Sequence, residues 1–140
     1  MPGLFLEDLS VGQSAELVRT VAETDIVAFA DVTGDTNPVH LDADYAATTP
    51  FGERIAHGML SAGYISAVLG TSLPGPGAVY LSQSLAFKRP VKIGAEVTAR
   101  VTVTAIDEAR ARVTLATACL VGGKTVVDGE AVVMVPRKAA

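Results

Sequence analysis

The chain of 140 residues has no tryptophan, one cysteine and two histidines. A lone cysteine, Cys119, forms no internal disulfide, and so few Cys and His residues leave no Cys/His metal cluster to expect. No Gly-rich segment follows a strand pattern in the way a phosphate cradle requires. Basic residues are scattered and the formal net charge is −4, which argues against nucleic acid and against an anionic membrane surface as partners. No apolar run approaches the ~20 residues of a membrane span. The start, Met1-Pro2-Gly3-Leu4-Phe5, lacks the basic stretch and apolar core of a leader. The cytoplasm is the expected compartment, and any chemistry should fall to side chains, with no metal and no separate cofactor.

What is present is aliphatic. Hydrophobic residues make up 49% of the chain and charged ones 19%, enough apolar material for an ordered core and too little charge for disorder. At this length a single domain, 1–140, should bury roughly two-thirds of the surface its unfolded chain exposes. No linker, repeat or low-complexity tract divides it. Cys119 sits in an alternating apolar pattern and reads as a small buried hydrophobe.

The first half is helical and loop-rich. Residues 23–33 carry acids in the first turn, apolar Ile26, Phe29 and Ala30 at helical spacing with Thr33, and Gly34 as a stop, the pattern of a short amphipathic helix. A second short helix is expected around 43–47. The stretch from His57 to Gly70 contains no charged residue, and a helix apolar on every side belongs in the middle of a fold. After Leu73-Pro74-Gly75-Pro76-Gly77, strand patterns occupy 78–88, 95–106, 111–121 and 125–135. In the second, Val97, Ala99, Val101 and Val103 alternate with Glu96, Thr98, Arg100, Thr102 and Thr104, so one face packs. Asp107-Glu108 and Gly122-Gly123 supply hairpin turns and make the sheet antiparallel there. One buried helix and one long antiparallel sheet make an α+β domain of hot-dog architecture, a curved sheet wrapped around a central helix. Open sheet edges invite a second copy, so a homodimer is expected.

Polar chemistry concentrates in Gly34-Asp35-Thr36-Asn37-Pro38-Val39-His40, which sets an acid and an imidazole five positions apart across an Asn-Pro turn. Such a segment reads as a plain turn whose Asp35 and Asn37 satisfy local amides, or as an acid/base pair folded toward one point.

The sequence resembles the R-specific enoyl-CoA hydratases within the MaoC-like dehydratases. The resemblance spans nearly the whole chain. It rests on Phe29-Ala30-x-x-x-Gly34-Asp35-x-Asn37-Pro38-x-His40, on Ala46-Ala47-Thr48-Thr49-x-Phe51, on His57-Gly58-Met59, and on Tyr80-Leu81-x-Gln83-Ser84-Leu85-x-Phe87-Lys88-x-Pro90-Val91. It implies that Asp35 and His40 are the catalytic pair, that Ser66 on the central helix supports them, and that the product is the R alcohol. The substrate it implies is a trans-2-enoyl-CoA, interconverted with (R)-3-hydroxyacyl-CoA.

Hydration of such a thioester needs a base for water, an acid for C2 and a donor for the enolate oxygen. Asp35 and His40 can hold one water, with His40 mainly its base and Asp35 orienting it and handling the proton for C2, as a coupled pair. One water delivered from one face makes the addition syn. Gly58, in the first turn of the central helix, offers a free backbone N–H at the positive end of the helix dipole, and its missing side chain lets the thioester oxygen approach.

Other residues have two readings each. His57 is either structural, bonding a nearby loop, or has a claim to catalysis and substrate contact, and Asn37 bonds either the loop or substrate. Ser66, taken alone, is a small helix residue bonding its own backbone. Arg54, Lys88 and Arg89 are candidates for the coenzyme A phosphates or plain solvated charges. Arg89 precedes Pro90 and should be extended, so only one of Lys88 and Arg89 is expected to reach the ligand. Tyr64, Leu69 and a residue near Val132 are candidates for lining the acyl pocket. Rival readings are a 3-hydroxyacyl thioester dehydratase acting on carrier-protein substrates, a hot-dog thioesterase, and a non-catalytic acyl-CoA-binding domain.

Overall fold

The computed structural model describes residues 3–139. Strand β1 is Ser14–Thr20, followed by helices α1 (Glu23–Thr33), α2 (Pro38–Leu41), α3 (Ala43–Ala47) and α4 (Gly58–Thr71). Strands β2 (Val79–Gln83), β3 (Ala86–Phe87), β4 (Glu96–Asp107), β5 (Arg112–Val121) and β6 (Lys124–Met134) complete the chain. All strand pairs are antiparallel, in the order β1-β4-β5-β6-β2, with β3 also paired to β6. Helix α4 lies across β1, β4, β5 and β6, which is the expected helix in a curved sheet.

Local chemistry explains the boundaries. The Asp25 carboxylate accepts the Ala22 N–H at 2.9 Å at the start of α1, and Gly34 ends that helix at φ 79°, a left-handed cap whose N–H donates to the Ala30 carbonyl at 2.8 Å. Val97, Ala99, Val101 and Val103 of β4 are all buried. Gly122 and Gly123, both with positive φ, form the tight turn between β5 and β6.

Three expectations need correction. First, β1 was not anticipated: it is an edge strand in which only Ala15 and Leu17 turn partly into the core, so its alternation is faint. Second, the strand over 78–88 is two strands. Opposite the break stands Gly129, where a Cβ would fall 1.8 Å from the Ser84 carbonyl oxygen, so the missing side chain lets β6 accept the inward step of the chain. Third, α4 is not buried all round in the single chain. Its Ser61, Ile65 and Val68 stripe is buried against the sheet, while Met59, Gly63 and Ser66 remain exposed.

Cys119 is buried as expected. Its thiol donates to the Ser61 carbonyl at 3.4 Å, tying β5 to α4, and burial pushes the thiol pKa up to about 12. Among the described residues, no helix is long and apolar enough to cross a membrane.

Candidate active site

The Asn-Pro segment is a turn that starts a helix. Asn37 Oδ1 accepts the Val39 N–H at 3.2 Å and caps α2, with Pro38 in its first turn. Asp35 Oδ1 accepts the Asn37 N–H at 3.3 Å. Asn37 therefore serves the loop. This one-turn helix brings the His40 ring inward to a buried position while Asp35 stays exposed.

A clamp from the segment before α4 fixes His40. Its Nδ1 lies 2.7 Å from the Ile55 carbonyl oxygen. A carbonyl only accepts, so Nδ1 carries the hydrogen and Nε2 keeps its lone pair. Ile55 N–H donates back to the Val39 carbonyl at 3.3 Å. Arg54 Nε donates to the His40 carbonyl and Nη1 to Glu23, both at 2.7 Å. The structure thus gives Arg54 a different task from the phosphate contact considered above: its guanidinium is committed to holding α2 against α1.

Beneath this clamp lies a stack. The rings of His40 and His57 are 3.9 Å apart and inclined by 29°, and Phe29 packs against His57 at 4.7 Å. His57 Nε2 sits 3.0 Å from the Asp35 carbonyl oxygen. One ligand-type atom from each of Asp35, His40 and His57 lies within 4.8 Å of the others. Two imidazoles could share an ion at roughly 2.1 Å only by converging their in-plane lone pairs. The near-parallel stack of the two imidazoles does not by itself converge their lone pairs on one point.

Two cavities flank the pair. The first, about 520 Å³, is lined by His40, Gly58, Phe87, Lys88, Arg89 and neighbouring apolar residues. The second, about 700 Å³, is lined by Asp35, Ser66, Gly63, Tyr80, Leu81 and others. Met59, in the first turn of α4, borders both. Gly58 and Ser66 thus face cavities that also hold the acid or the base. No side-chain hydrogen bond caps α4; Leu60 N–H donates to the His57 carbonyl at 3.0 Å, and the N–H groups of Gly58 and Met59 ahead of it are left to meet a developing negative charge. At Gly58 a Cβ would meet the Phe87 ring at 2.6 Å, so the glycine first of all makes room for that ring against the helix end.

Lys88 and Arg89 both border the first cavity, against the expectation of only one. Their N–H groups both donate to the Val126 carbonyl, at 2.8 and 3.2 Å; two residues against one acceptor form a bulge and break the alternation. Lys88 also pairs with Asp128 at 3.8 Å. Tyr64 and Leu69 belong elsewhere. Leu69 is a core residue, and Tyr64 lines a separate hollow with Arg19, Asp25 and Leu60. Val132 lies on β6 opposite Ser82 and Thr114 and lines neither cavity. Phe87, Met59 and the Ile55 carbonyl are parts of the site that the sequence argument missed; a backbone carbonyl leaves no residue-type signal.

Residues 9–125 match the MaoC like domain family. The chain belongs to that family. Among relatives of this MaoC-like domain, the "(R)-specific enoyl-CoA hydratase" of Rhodospirillum rubrum is 59% identical over 96% of this chain and 93% of its own length. The "3-hydroxybutyryl-CoA dehydratase" of Methylorubrum extorquens is 54% identical over 96% of this chain and 86% of its own. The unliganded R-hydratase of Pseudomonas aeruginosa superposes with a TM-score of 0.92 at 51% identity, covering 97% of this chain and 88% of that one.

The clamp on His40 has a measurable energy. Replacing Arg54 by methionine keeps the aliphatic stem but removes the charged donor from a side chain only 14% exposed. Because Glu23 is 66% exposed, its ion pair adds little, and the bond to the His40 carbonyl should dominate. Urea unfolding should show a loss of about 1–3 kcal/mol; an unchanged midpoint and slope would mean that the guanidinium contributes nothing to α2.

Proposed function

We infer that this MaoC-like protein is an R-specific enoyl-CoA hydratase that reversibly adds water to trans-2-enoyl-CoA to give (R)-3-hydroxyacyl-CoA. The observation that carries the reading is the His40 imidazole, its Nδ1–H fixed on Ile55, held with Asp35 beside the uncapped start of α4. The near full-length identity to the hydratase of Rhodospirillum rubrum supports the same substrate class.

In this mechanism one water sits between Asp35 and His40. Its oxygen attacks C3 as His40 Nε2 takes a proton, and the C2–C3 electron pair moves to the thioester oxygen. The Gly58 N–H stabilises that enolate, with the helix dipole aiding it; a single donor of this kind is worth roughly 3 kcal/mol in the transition state. The enolate then collapses as the proton reaches C2 through Asp35, so one water supplies both OH and H on one face. Ser66, on the wall it shares with Asp35, supports the pair. Every step is a proton transfer or an addition, and no separate cofactor enters. Lys88 and Arg89, at the first cavity, are placed for the anionic coenzyme A portion, which leaves the second cavity for the acyl chain.

The same site runs dehydration by microscopic reversibility, and the dehydratase of Methylorubrum extorquens at 54% identity favours that second description of the same chemistry. A thioesterase or a non-catalytic binding domain has no need of a fixed His40 tautomer beside an acid.

A second copy of this chain packs along β2 in the functional protein. Among the described residues that strand pairs only with β6, and Val79, Tyr80 and Leu81 are exposed along it, with Met59 and Phe87 nearby on the cavity walls. A second copy would cover this apolar edge and close the acyl cavity. The cytoplasm is the setting that matches a coenzyme A substrate.

Two outcomes test this. With crotonyl-CoA, the loss of enoyl absorbance should slow by roughly 10²- to 10⁴-fold in folded Asp35→Asn and His40→Ala, and chiral analysis of the wild-type product should return the R alcohol. Wild-type rates in both variants, or an S product, would refute the assignment. Light scattering should give twice the chain mass of 14.4 kDa; a monomer fully active at the same concentration would remove the second copy from the account.

A further inference from the structure

His57 is buried, and its Nδ1 has no hydrogen-bond partner among the described residues. Leaving a buried ring nitrogen unpaired is costly, and a phenyl ring would fill the same space without that atom. What imidazole adds here is one N–H. Its Nε2 reaches the Asp35 carbonyl at 3.0 Å, across 22 positions of sequence. Because a carbonyl only accepts, Nε2 carries the hydrogen and Nδ1 is bare.

The two histidines are therefore opposite tautomers in one stack. His40 donates through Nδ1 to Ile55, and His57 donates through Nε2 to Asp35. With the rings 3.9 Å apart, His57 covers one face of His40 while gripping the backbone of the acid. Phe29 of α1 packs against His57 and brings no charge of its own. The start of α4 thereby sets the separation of acid and base, though neither residue lies on that helix.

We propose that His57 is a positioning residue that holds Asp35 in register with His40, through its Nε2–H bond to the Asp35 carbonyl and its ring stack on His40. The inference rests on Asp35 and His40 being the reacting pair. His57 touches neither water nor substrate in this role. Its loss should lower the rate of the chemical step and leave substrate affinity nearly unchanged.

The chain has only two histidines, which makes the claim directly readable. In full-length protein labelled with ¹⁵N-histidine and read with both rings in their neutral form, one ring should show the Nδ1–H tautomer and the other Nε2–H. Assignment by His57→Phe should give the Nε2–H signals to His57. Two rings of the same tautomer, or the reverse assignment, would overturn the proposal. This readout needs no turnover, so it separates failure of the proposal from failure of the assigned reaction. In kinetics, His57→Phe should keep the stack and lose the donor, lowering kcat roughly ten- to a hundredfold with KM within about twofold. His57→Gln, whose amide nitrogen stands close to the Nε2 position, should recover much of that loss. Wild-type kcat in His57→Phe, a loss confined to KM, or a Gln variant no better than Phe would contradict it. If the variants fail to fold, the unassigned wild-type spectrum still decides: one ring of each tautomer supports the proposal and two of the same overturn it.

Discussion

Helix α4 carries no charged side chain from Gly58 to Thr71, so it is stable only where its surface is covered, and the sheet covers one side of it along Ser61, Ile65 and Val68. That burial fixes the helix axis, and with the axis its first turn. The first turn is where the site is assembled: His57 precedes it, Gly58 opens it, and Met59 borders both cavities. The polar machinery therefore draws its geometry from an apolar contact on the other side of the same helix. A loop alone could not hold an acid and a base to fractions of an ångström.

Hydrogen bonds to backbone carbonyls convert that rigid start into a defined protonation pattern. Ile55 directs one imidazole and Asp35 the other. Because both acceptors are carbonyls, each ring has one permitted neutral tautomer, and the nitrogen left bare on His40 is the one a water can use. Arg54 adds a third tie through the His40 carbonyl and Glu23. α2 is a single turn and would not persist by itself, so these ties give it a fixed place.

Much of this was legible in the chain. Helix α1 ends at Gly34 and α3 spans Ala43–Ala47 as the pattern of acids, apolar residues and glycine indicates, and the alternation in β4 matches its buried face. β1 escaped notice because an edge strand with two half-buried residues has little periodicity to detect. Lys88 and Arg89 were expected on opposite faces because strict alternation was assumed; a bulge on Val126 overrides it. Arg54 looked like a free cation because sequence shows the charge and not the carbonyl 14 residues away that claims it. The helical stripes of α4 likewise divide Ser66 from Tyr64, one toward the cavity with Asp35 and the other toward α1 and β1, a division that needs the position of the sheet.

In the proposed mechanism a single water, held between Asp35 and His40, supplies both new atoms from one side of the double bond. Hydration of crotonyl-CoA in ²H₂O reports on this step through the relative configuration at C2 and C3 of the product, read by NMR. Deuterium at C2 and hydroxyl at C3 should be added to the same face in essentially every molecule. Deuterium on the opposite face, or a mixture of both configurations at C2 formed during addition, would contradict it.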